Sequence, residues 1–173
     1  MLMSSMQKKM GKKSFTILEL LIVIAILGIV LATYPLTVNF SGQIAKAQDG
    51  RRKQDLATLK KAFEDFYSDH NRYPYPSEVC FGQLGRGLCL ICGNNPASPS
   101  FSPYLAKLPC DPQSQAKEYR YRVDDPDIPP TWYVLYTLLS NKDDPAIGEV
   151  CPNLCIGGNY AVSSDNVAVD MQP

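Results

Sequence analysis

The chain has little of what most enzymes display. No Gly-x-Ser-x-Gly elbow, His-Glu-x-x-His pair or phosphate-cradling Walker loop occurs, and histidine appears once, as His70. An enzyme is not expected. Neither sign of charge dominates, since 17 basic residues stand against 17 acidic ones. Residues 1–14 hold four lysines, Lys8, Lys9, Lys12 and Lys13, so that without them 13 basic residues would face 17 acidic ones. Such a balance gives no broad basic footprint for nucleic acid. Long apolar runs are missing after residue 34, which limits the chain to one expected membrane crossing.

That one run, residues 15–34, would rise about 30 Å as a helix, enough for a bilayer core. The four lysines before it favour a cytoplasmic N-terminus, although Lys46, Arg51, Arg52 and Lys53 beyond it weaken the bias. A secretory signal peptide would have a shorter apolar core, about 7–15 residues, and a small-residue cleavage site. Here Tyr34 and Pro35 close the run, without Ala-x-Ala. Inside it stands one carboxylate, Glu19. A charge at a helix centre in a membrane costs roughly 2.5–3.5 kcal/mol on insertion scales, so Glu19 calls for a cation that its own span lacks.

The residues Ser14, Phe15, Thr16, Ile17, Leu18 and Glu19 resemble the class III leader of type IV pilins and type II secretion pseudopilins, which reads Gly, Phe, Thr, two apolar residues and Glu. Ser14 stands where that family usually has Gly. Pro35 comes one place before its helix-kinking proline. The resemblance implies cleavage between Ser14 and Phe15 by a prepilin peptidase, N-methylation of Phe15 and retention of the apolar helix. It also implies that Glu19 meets the new N-terminal ammonium of a neighbouring subunit during assembly. Desolvation offsets much of that attraction, so orientation and register are the expected gain.

Beyond the span, residues 44–68 keep a helical rhythm, with Leu56, Leu59, Phe63 and Phe66 spaced by three or four and Lys60, Lys61, Glu64 and Asp65 between them. The stripe reads as core packing against a sheet. Pro35, Gly42 and Gly50 place the weakest helical stretch between 35 and 50. The helix is predicted to end near His70 and Asn71, because Tyr73 and Tyr75 precede prolines. His70 reads as a capping or surface residue. The segment 55–74 is also similar to the second half of the pseudopilin helix.

Residues 76–103 are rich in Pro, Gly, Ser and Cys and are expected to form a long loop. A short helix is predicted over 102–109, with Ser102 as cap and Pro103 in its first turn. Strands are predicted over 118–123 and 131–139, with short ones over 159–162 and 166–169. The fold class is α+β: a long N-terminal helical spine, its first half transmembrane, packed on a small antiparallel sheet, pilin-like, with cysteine-rich loops. The segments 108–112 and 133–145 are similar to strand-leading and strand-and-turn segments of pseudopilins. The expected division is a leader at 1–14, a transmembrane and filament-core helix at 15–34, its amphipathic continuation at 35–70 and a cysteine-rich head at 71–173.

Six cysteines, Cys80, Cys89, Cys92, Cys110, Cys151 and Cys155, all follow the helix, on the side expected to leave the cytoplasm. That placement favours disulfides, whose connectivity spacing does not decide. Zinc is the weaker alternative, because Cys89 and Cys92 form Cys-x-x-Cys and Cys151 and Cys155 are close in sequence. A thioredoxin-like role for Cys89 and Cys92 lacks the βαβ context it needs. Asp124, Asp125 and Asp127, Asp143 and Asp144, and Asp165 and Asp170 form acidic groups. Major pseudopilins bind calcium near C-terminal loops, but these groups do not match that constellation and read as solvated turns. No resident cofactor is expected.

The function expected from the resemblance is that of a structural subunit of a type IV pilus or a type II secretion pseudopilus, made as a prepilin that is cleaved, N-methylated and polymerised. Its partners would be copies of itself, other pilins or pseudopilins, the prepilin peptidase and an inner-membrane assembly platform. It would reside in the cytoplasmic membrane as a single-pass protein and, after assembly, in an extracytoplasmic filament. The alternative is a membrane-anchored extracytoplasmic zinc-binding or ligand-binding module that does not polymerise.

Overall fold

The computed structural model of the protein describes residues 15–37, 40–114, 117–147 and 157–166, with the side chains of 33–37 outside that description. The chain divides into two units, Met1–Phe40 and Ser41–Pro173. The first contains helix α1, Ile17–Thr37. Its sequence is apolar on every side, so no amphipathic face forms. Among the described residues no helix is long and apolar enough to cross a membrane.

The second unit packs helix α2, Phe40–His70, on an antiparallel sheet whose five strands lie in sequence order. They are β1 Gly82–Gly85, β2 Leu88–Ile91, β3 Tyr119–Val123, β4 Tyr133–Thr137 and β5 Tyr160–Ser163, preceded by the single-turn helix α3, Pro76–Val79. The predicted stripe is the observed core, since Leu56, Leu59, Phe63 and Phe66 are all buried. Phe63 meets Phe101, Tyr121 and Tyr133 edge to face at 5.2–5.4 Å. On β3 burial alternates, whereas all five residues of β4 are buried. The two readings share one cause: β3 offers one face to α2, and β4 carries core on both, with Val134, Tyr136 and Ala161 forming a second cluster.

Phenols on the sheet and on the segment after α2 meet carboxylates on the helix. Tyr119 donates to Asp55 at 2.7 Å, and Tyr73 and Tyr133 donate to the two oxygens of Glu64 at 3.0 and 3.1 Å. Burial first, and the Glu64 charge with it, push both of those phenol pKa values up, so the hydroxyls stay protonated donors. Helix α2 ends where expected. Asn71 takes φ 55° and donates its N–H to Tyr67 O at 2.7 Å, and the Tyr-Pro pairs then carry an extended chain.

The helix falls into two elements, ending at Thr37 and resuming at Phe40, inside the stretch expected to be weakest, and from 40 to 50 it is regular through Gly42 and Gly50, with Asp49 tied to a distant loop. Two expectations change. Residues 76–103 contain a hairpin, β1 and β2, turning at Arg86 and Gly87, where Gly87 has φ 69° and a Cβ would meet Val123 O at 3.0 Å. Four apolar residues, Leu88 to Ile91, are too short a run to read as a strand alone. Their pairing to β3 defines them. Residues 102–109 form a turn, with a cis Ser102–Pro103 bond and a single helical hydrogen bond from Leu105 N to Phe101 O. Phe101 and Leu108 anchor that segment at both ends instead of along a helical face. Asn166 lies in a turn, and 167–169 fall outside the described residues.

Candidate functional site

The start of α1 is built by its own sequence. Thr16 caps the helix, its Oγ1 accepting the Glu19 N–H at 3.2 Å, and Leu20 N–H reaches Thr16 O at the same distance. Thr16 and Glu19 thus occupy the positions of a Thr-x-x-Glu capping motif, where the helix dipole also favours an acid. Phe15 and Glu19 stand about one turn apart, both exposed, and no ion pair to Glu19 occurs among the described residues. Ser14 lies outside the described residues. The twelve large apolar side chains from Ile17 to Leu31 are 48% to 84% exposed. Each gains roughly 1.5–3 kcal/mol on leaving water, on the order of 20 kcal/mol or more together. A helix with that surface requires lipid or other helices around it.

In the second unit the chemistry is inward. Arg52 is fully buried and its guanidinium is shared between two carboxylates. Nε and Nη2 donate to the two oxygens of Asp111 at 2.7 and 2.8 Å, and Nη1 donates to Asp49 at 2.7 Å and to Ser140 Oγ at 3.1 Å. Asp49 in turn accepts the N–H groups of Ser140 and Asn141 at 2.7–3.0 Å. Lys117 adds a second cation, donating to Ser140 Oγ at 2.6 Å. Burial opposes ionisation of Asp111, but the bonds from Arg52 and from Gln113 N–H outweigh it and hold its pKa below the ordinary value. Burial works the same way against Arg52, and its two carboxylates raise its pKa in spite of it. The arrangement joins α2 to the loops after β2 and β4.

Sequence reasoning missed this cluster although its signal is there. Arg52 and Asp49 continue the spacing of Leu56, Leu59, Phe63 and Phe66 toward the N-terminus, by four and then three residues. Charges on an apolar stripe at helical period have to be buried with partners.

Four cysteines form two disulfides, Cys80–Cys89 and Cys92–Cys110. Cys151 and Cys155 lie outside the described residues. The zinc alternative is thereby corrected for the Cys-x-x-Cys motif, since the sulfurs of Cys89 and Cys92 are bonded to different partners and are not thiolate ligands. Among the described residues no group of three or more His, Cys, Asp and Glu side chains is placed to hold a metal. The acidic turns are occupied otherwise. Asp124 caps Thr131, Asp125 and Asp127 meet Arg86, Asp144 meets Lys53 at 2.6 Å and Asp165 meets Lys60 at 2.6 Å. His70 stacks on Phe66 at 4.1 Å with Nδ1 3.2 Å from Phe66 O, at the helix end.

Residues 9–33 match the model of the prokaryotic N-terminal methylation motif. The type II secretion system core protein G of Aeromonas hydrophila is 30% identical over 107 residues, which are 62% of this chain and 71% of that protein. The core protein G of Dickeya chrysanthemi is 28% identical over 104 residues, 58% of this chain and 63% of that protein. No solved structure matches. An apolar, acid-bearing N-terminal helix carrying the methylation motif, followed by a helix packed on an antiparallel sheet, places the chain in the family of the type II secretion system core protein G.

Proposed function

We propose that the chain is a structural, non-enzymatic subunit of a type II secretion pseudopilus, made as a prepilin. Residues 1–14 are its cytoplasmic leader, 15–34 its membrane and filament-core helix, 35–70 the continuation of that helix and 71–173 the exposed head. A prepilin peptidase cuts between Ser14 and Phe15, and Phe15 is N-methylated. The mature helix waits in the cytoplasmic membrane and leaves it to pack with copies of itself and other pseudopilins on an inner-membrane platform. The observation that carries this reading is α1 itself, apolar and exposed all round, with one capped acid in its first turn. Lipid satisfies the apolar surface before assembly and neighbouring helices satisfy it afterwards. In that dry bundle Glu19 takes the Phe15 ammonium of a neighbour, and desolvation leaves the pair as a register mark more than a source of stability. Head-to-tail repetition of such a contact gives an open fibre.

Mass spectrometry of the protein purified from its native membrane tests the reading. A mature N-terminus at N-methylated Phe15 is expected, in membranes and in sheared filaments alike. A chain that keeps residues 1–14 in all fractions would overturn it.

A further inference from the structure

Cys110 and Asp111 are consecutive, so the disulfide and the buried ion cluster share one short segment. The bridge from Cys92, at the end of β2, holds that segment with the two Cα atoms 4.4 Å apart. Around it the fit is close. Gly93 N–H donates to Leu108 O at 3.2 Å, Asn94 N–H to Cys110 Sγ at 3.3 Å, and a Cβ on Gly93 would stand 2.5 Å from Leu108 O. The next residue, Asp111, gives both oxygens to Arg52, 59 positions earlier. Its carboxylate is dehydrated there and its segment has no strand or helix of its own to hold it.

We propose that the Cys92–Cys110 disulfide is a redox-set latch on the head. Oxidation of the two thiols seats Asp111 on Arg52, and this closes the cluster that ties α2 to the loops after β2 and β4. In the step the Cys92 and Cys110 thiols give up two protons and two electrons to a disulfide oxidant, which leaves as two thiols while the S–S bond forms. Reduced, the segment 107–114 must pay for burying a carboxylate without a restraint that closes its loop, so Asp111 returns to water and Asp49 is the one carboxylate left on Arg52. Cys80–Cys89 is a built-in control, because it joins α3 to β2 and no residue beside it enters the cluster. The head would therefore reach its locked form only in an oxidising compartment, after the chain has crossed the membrane. The latch does not rest on the filament reading, and neither test below uses assembly.

Two measurements on the full-length protein in detergent micelles test it. In the first, Cys92→Ser with Cys110→Ser is expected to raise the unfolding constant at least about tenfold more in the parent chain than in an Arg52→Met chain, because the two elements act as one. Cys80→Ser with Cys89→Ser is expected to change it by the same factor in both. Equal factors for the Cys92 and Cys110 pair would overturn the latch. In the second, which needs no variant, trypsin is applied with and without dithiothreitol. Cleavage after Lys107 and Lys117 is expected to accelerate at least about tenfold on reduction, while Arg120 and Arg122 in β3 stay protected. Unchanged cleavage overturns the proposal, and so does equal acceleration at all four sites, since the bridge would then hold the whole head and not a latch.

Discussion

Helices α1 and α2 follow one another in the chain and treat their charged residues in opposite ways. In α2, Arg52 lies at 0% exposure and finds Asp49 three residues away and Asp111 on a distant loop. In α1, Glu19 finds no cation among the described residues, and the apolar side chains around it are exposed on all sides. The difference separates the two kinds of work a helix does. One is satisfied by its own chain and stabilises a head, whereas the other leaves its surface and its charge for lipid and for neighbours. A buried charge with an internal partner commits the head to one packing, since removing either partner is costly, and a charge in an apolar helix without one points to a partner outside its own helix.

Glu19→Ala should break the comparison most visibly. Membrane insertion and head stability are expected to stay as in the parent, while incorporation into sheared filaments is lost nearly completely; normal incorporation would remove the register role. Arg52→Met should do the reverse, costing about 3–5 kcal/mol of head stability in urea unfolding because it strands two buried carboxylates. That deficit should shrink below about pH 4, as the parent loses the contribution of the Arg52–Asp111 pair.

Apolar truncations sharpen the contrast next. Phe63→Ala is expected to cost the head about 3–5 kcal/mol, and Ile24→Ala, on the exposed α1, to leave head unfolding unchanged. A large effect of Ile24→Ala on the head would mean that the second unit depends on α1. The smallest effect is on pH. Arg72 holds Glu78 below its ordinary pKa, with hydrogen bonds at 2.7 and 2.8 Å, and Lys53 does the same for Asp144. With Asp111, these groups have folded pKa values below their unfolded ones, so their contribution is complete above the ordinary carboxylate range. It is lost as pH falls through the lower folded values. The urea midpoint should be flat from about pH 5 to 8 and fall below about pH 4; a midpoint falling already at pH 6 would assign the loss to other groups.

Much of the head was legible because its signals are local. Leu56, Leu59, Phe63 and Phe66 keep a helical period, the Tyr-Pro pairs stop the helix, and Tyr119 to Val123 alternates as a half-buried strand does. The hairpin of β1 and β2 was not legible, since Leu88 to Ile91 gains its identity from the β3 residues it pairs with, some thirty positions on. The short helix over 102–109 failed for a related reason. Cap-like residues were present, but the segment is held from outside itself, by Phe101 packed on Phe63 and Phe66 and by Leu108 O accepting the Gly93 N–H.

By itself the sequence determined that one helix is apolar all round, that an acid stands in its first turn, that a second helix has one buried face, and that a methylation-type motif spans the start of the apolar run. These follow from period, composition and spacing within a few residues. Tertiary structure alone decided how the four described cysteines pair, that β4 is buried on both faces, and that Asp49 and Arg52 belong to the core and not to the surface. Arg52 reaches Asp111 across 59 positions and Ser140 across 88. No local pattern carries that distance, and only the packed sheet and helix bring together charges whose burial would otherwise be too costly to bear.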